Sequence, residues 1–110
     1  MIYTDNLLKA DIDISSSGDN TIIVAPTTRG FIVIDHINLL PTSAVTVQFK
    51  DGTTAYGGPY PLDAKQPMTL ENSMQNTNGV ITLSETNAFV INLSAAVQVG
   101  GFVRYRIIGQ

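Results

Sequence analysis

Oxygen-bearing side chains recur at every second position from Asp13: Asp13, Ser15, Ser17, Asp19 and Thr21, with Gly18 between them. That spacing matches the ligand positions of a calcium loop, which places oxygens at one, three, five, seven and nine and glycine at six. The twelfth position, which such a loop gives to a bidentate glutamate, is Val24. The competing reading is a β-turn between two strands. Asp35 and His36 are the next candidates, as an acid beside the single histidine of the chain. Neighbours on a strand point to opposite faces, so this pair cannot easily meet. A triad also needs a nucleophile within hydrogen-bond reach of its base, and none of the many serines sits in a nucleophile-elbow sequence. No catalytic residue, metal site or cofactor site is therefore expected.

Two further groups suit binding rather than reaction. Tyr56 and Tyr60 flank Gly57, Gly58 and Pro59, with Pro61 following. Aromatic rings with a polar tip on a stiff loop could meet a sugar ring, or could cover the end of a sandwich. Arg104 and Arg106 share one face of a terminal strand, and could meet the acidic amino-terminal strand of this or another subunit or face solvent. Gly100 and Gly101 precede no helix, which argues against a phosphate cradle and for a bulge or turn.

The elements that must carry these groups are strands. Residues 8–15 alternate, with Ile12 and Ile14 on one face and Asp11 and Asp13 on the other. A cluster of Ser, Gly, Asp and Asn turns the chain into a second strand, which Pro26 ends. Residues 31–40 are apolar on both faces, so one face is expected in the core and the other, with Ile32 and Ile34, against a loop or a second subunit. Residues 44–50 alternate into Asp51-Gly52, a hairpin signal, and 53–56 are the short partner. Further strands are expected over 68–70, 80–83, 88–94 and 101–108. No helical stripe of useful length is present, so about eight short strands imply an all-β domain, a sandwich, jelly roll or small barrel.

Composition narrows the function classes. A chain of 110 residues fits one domain. Zero cysteines exclude disulfides and thiolate metal sites. Charged residues are only 14%, while 44% are apolar, so part of the surface is expected to be neutral polar or covered by another subunit. The net charge is −3, and no Lys or Arg lies between Gln66 and Val103. Nucleic acid is thus not an expected partner. No segment approaches the roughly 20 apolar residues of a membrane helix, and the start lacks a signal-peptide pattern. Ile2, Tyr3, Leu7 and Leu8 are apolar for a free tail, so residues 1–10 are expected to form an arm that docks, ahead of a sandwich domain over 11–110.

The runs Ala44 to Gly52, Gly58-Pro59, Asn87 to Ser94 and Val99 to Tyr105 resemble those of small β-sandwich virion proteins of tailed bacteriophages. These include capsid decoration or cement proteins and head-fibre or tail accessory domains. The likeness covers most of residues 20–108 and is one of strand texture. It implies a single jelly-roll-like sandwich with no catalytic residues, often a homotrimer, made in the host cytoplasm and seated on the virion surface. Its implied partners are its own copies and the major capsid protein. The interface residues expected on this reading are Ile2, Tyr3, Leu7, Leu8, Ile32, Ile34, Arg104 and Arg106. The alternatives are a carbohydrate-binding or adaptor module of a tail or fibre that uses Tyr56 and Tyr60, and an enzyme with His36 as its only candidate base.

Overall fold

Residues 31–41 hold the key to the architecture, because their apolar positions fit no single strand period. The computed structural model, which describes residues 7–27, 29–72 and 78–109, resolves the conflict with a bulge. Within the strand Phe31–Pro41, here β3, Ile32 and Ile34 point inward in the first half. Ile37 and Leu39 point inward in the second half. The inward positions change from even to odd at Asp35, where the pairing with the last strand, Val99–Ile108, slips by one residue. His36 lies opposite Arg104 and Ile34 opposite Tyr105, leaving Asp35 as the extra residue. Most of the two apolar faces inferred from the sequence are thus one face read through a change of phase; Val33, buried but outside the core cluster, lies on the other face against Gly79.

Ten strands form in chain order. They are β1 (Leu8–Ile14), β2 (Gly18–Ile23), β3 (Phe31–Pro41), β4 (Val45–Asp51), β5 (Thr54–Ala55), β6 (Tyr60–Leu62), β7 (Met68–Glu71), β8 (Ile81–Thr82), β9 (Phe89–Leu93) and β10 (Val99–Ile108). No helix occurs among the described residues. One sheet runs β1-β10-β3-β7, with β8 also paired to β3. The other runs β2-β9-β4-β5, with β6 also paired to β4. All pairings are antiparallel. The chain changes sheet at each of its first three connections, and its first two strands pair with its last two. That is the winding of a jelly-roll sandwich.

The core lies between the sheets. Phe49, Phe89, Ile91 and Leu93 from one side meet Ile12, Ile34, Ile37, Leu39 and Val103 from the other. Phe49 and Phe89 stack at 5.9 Å between ring centroids, a favourable offset geometry for two apolar rings. The expected turn at Asp51-Gly52 forms, with Gly52 at a positive φ of 64°. The strand β6 falls outside the sequence expectation because Pro61 argues against a ladder. It survives because it pairs with β4 alone, where a proline loses no second partner. Gly100 and Gly101, expected in a bulge or turn, instead lie inside β10. A Cβ on Gly101 would strike the carbonyl oxygen of Asn38 on β3, so the two backbones approach there as only glycine allows.

Candidate functional site

The two long sides of the sandwich are built differently. On one side the sheets end in short pieces. These are β7 and β8 against β3, and β5 and the proline-bearing β6 against β4. On the other side they end in β1, seven residues long, and β2, six residues long. Among the described residues, neither β1 nor β2 has a strand on its outer flank. Such flanks present unpaired N–H and C=O groups to any chain that can approach. Three residues connect β1 to β2, so the start of β1 and the end of β2 lie toward the same end of the sandwich. Leu7, Leu8 and Val24 are exposed there, at 51%, 39% and 76%.

The surface of β1 is patterned in charge. Lys9, Asp11 and Asp13 point away from the core, and Lys9 pairs with Asp11 at 3.1 Å. On β2, Asp19 accepts from Asn92 at 2.7 Å and from Lys50 at 2.9 Å. The Asn92 bond, and then the Lys50 ammonium, hold the Asp19 carboxyl below its ordinary pKa.

These contacts disperse the calcium candidate. Asp13 turns to Gln98, which donates to it at 2.7 Å, while Asp19 turns to Lys50 and Asn92 within its own sheet. The Asn20 amide donates back to the carbonyls of Ser16 at 2.8 Å and Gly18 at 3.1 Å, as a turn does. No cluster of three or more His, Cys, Asp or Glu able to hold a metal occurs among the described residues.

Asp35 and His36 also part. Asp35 accepts from Arg106 Nε at 2.6 Å and Arg106 Nη2 at 3.0 Å, and from the Asn72 amide at 2.9 Å. The His36 ring stacks on Phe102, with centroids 5.4 Å apart. The pair Asp35–Arg106 went unread in the sequence, although an acid inside the most apolar run of the chain signals a buried partner.

The expected interface residues separate into groups. Ile32 and Ile34 are fully buried in the chain's own core, so they offer no surface to a second subunit; the bulge at Asp35 is the reason. Arg106 is buried against Asp35, and only Arg104 of the expected cationic stripe is exposed. Arg104 lies across from Lys9 on one flank and His36 on the other, not from an acid. Leu7 and Leu8 are exposed at the start of the open side. Ile2 and Tyr3 lie outside the described residues. The boundary of the expected arm falls inside β1, since Leu8, Lys9 and Ala10 already pair with Tyr105, Arg104 and Val103.

Tyr56 and Tyr60 are each 37% exposed. Tyr60 leans on Phe49, with ring centroids 5.6 Å apart, while Gln48 donates to the Gly57 carbonyl at 3.2 Å and anchors the loop. A shallow groove of about 300 Å³ lies nearby, lined by Val45, Thr46, Pro61, Leu62 and Ser94 among others.

No protein-family model and no curated protein sequence matches the chain. A solved structure of similar fold comes from Bacillus endospore appendages, described as a novel family of disulfide-linked pili. The likeness has a TM-score of 0.55 at 16% identity, covering 97% of this chain and 89% of that one. At that identity it concerns the all-β sandwich fold alone.

Proposed function

We propose that this chain is a structural subunit of a larger protein assembly, and that its specific role is to decorate the head shell of a tailed bacteriophage. The observation that carries the reading is the one-sided sandwich. Short strands, loops and a proline blunt one side, while the other offers two continuous strand flanks ending in exposed Leu7, Leu8 and Val24. The similar fold in an appendage pilus fits a subunit that works by being built into something. Its linkage by disulfides has no counterpart here, since this chain has no cysteine. Cosedimentation of the purified chain with phage heads stripped of accessory proteins tests the role. Saturable binding at a fixed number of copies per head is the expected result. Failure to bind at any concentration overturns the decoration reading.

The exposed tyrosines of the Tyr56 to Pro61 loop support a second reading, a glycan-binding module of a tail or fibre. Binding on a glycan array that is lost in Tyr56→Ala would replace the first reading with this one.

A further inference from the structure

The flank of β1 is regular where that of β2 is not. From Leu8 to Ile14 it pairs with β10 without a register shift, and it contains neither proline nor glycine. The strand β2 slips against β9 between Thr21 and Ile23 and begins at a glycine of positive φ. Regularity makes β1 the better template for another strand. Its outward side chains then decide which strand fits.

We infer that β1 pairs with β1 of a second copy, antiparallel and two-fold symmetric about Asp11. In that register Lys9 faces the second copy's Asp13 and Asp13 faces its Lys9, so two opposite-charge pairs form on the outer face. On the inner face Leu8 meets Ile14 and Ala10 meets Ile12, twice each by symmetry. Every residue of β1 finds a partner of matching kind except Asp11, which meets its own copy in solvent. Cross-strand pairs of opposite charge and of apolar side chains both stabilise such a ladder. The Lys9 and Asp11 side chains are 52% and 72% exposed, so among the described residues nothing covers them. An edge with charges of one sign would repel its copy, whereas the Lys-x-Asp-x-Asp order of β1 complements itself when reversed. The product is an isologous dimer in which the sheet β7-β3-β10-β1 runs on into its symmetry mate. This inference stands apart from the capsid role: a chain that dimerises but binds no shell keeps one and loses the other.

Analytical ultracentrifugation of the full chain tests it, reading mass against the 11.8 kDa monomer. The expected result is a dimer at low salt that weakens as salt screens the pairs. Lys9→Asp weakens the dimer about tenfold or more, since two attractive pairs become repulsive. The exchange Lys9→Asp with Asp13→Lys restores it, and Asp11→Asn tightens it. These positions are on the surface, so circular dichroism of each variant is expected to match wild type. A chain that stays monomeric near 1 mM (about the weakest association such a contact could give), a trimer, or a charge exchange that fails to restore the dimer, overturns the inference.

Discussion

Arg106 shows what a single residue reveals about this protein. It sits on the outer face of its sheet yet is only 4% exposed, and its guanidinium grips Asp35 with two hydrogen bonds. Removing one member of a buried pair costs about 3–5 kcal/mol when the other is left charged with no partner, and here Asp35 would keep the Asn72 bond, which places the cost at the lower end. Arg106→Met is therefore expected to lower stability by about 3 kcal/mol in urea denaturation. Adding Asp35→Leu to it is expected to recover much of that loss. Asp19 gives a pH dependence instead. Its folded pKa lies below the unfolded value of about 3.9. Its contribution is thus fully present above about pH 4 and is lost as pH falls through the lower folded value. Wild type is expected to lose more stability than Asp19→Asn between about pH 6 and pH 3, read from urea midpoints at each pH. The pairing of Arg106 with Asp35 was not legible from the sequence, because the two lie 71 positions apart and only the register of β3 on β10 joins them.

At the scale of elements, most strands were readable and their phase was not. Alternation in 8–15, 44–50 and 88–94 found β1, β4 and β9 because each buries one face on the core. In β3 the same logic failed, since one extra residue at Asp35 moves later side chains to the other face. A bulge leaves no mark on hydrophobicity beyond an acid between two apolar runs. The same pair of strands explains Gly101. Its φ of 150° and its contact with the Asn38 carbonyl exclude any side chain. Gly101→Ala is expected to cost about 3 kcal/mol by chemical denaturation. Gly100→Ala serves as its control: the added carbon would meet only the Ile12 oxygen, at 3.9 Å, and the cost is expected to stay below about 1 kcal/mol. The open flanks of the site were not legible either, because strand order in a sheet depends on distant pairings that local patterns do not encode.

For the whole molecule, the order of strands matters more than their number. The strand β10 lies between β1 and β3, and β9 lies between β2 and β4, so each sheet is completed from the far end of the chain. The alternation of side chains and the spacing of turns led to the right class of fold, an all-β sandwich. The question of what the sandwich binds turns on its unpaired side, which only the assembled sheets define. One consequence follows for biosynthesis. While the ribosome is still making the last strands, β1 and β2 have no partners and their apolar faces stay uncovered. The sandwich must then wait for β9 and β10 to emerge, and until they do a nascent copy beside another on the same messenger is at its stickiest.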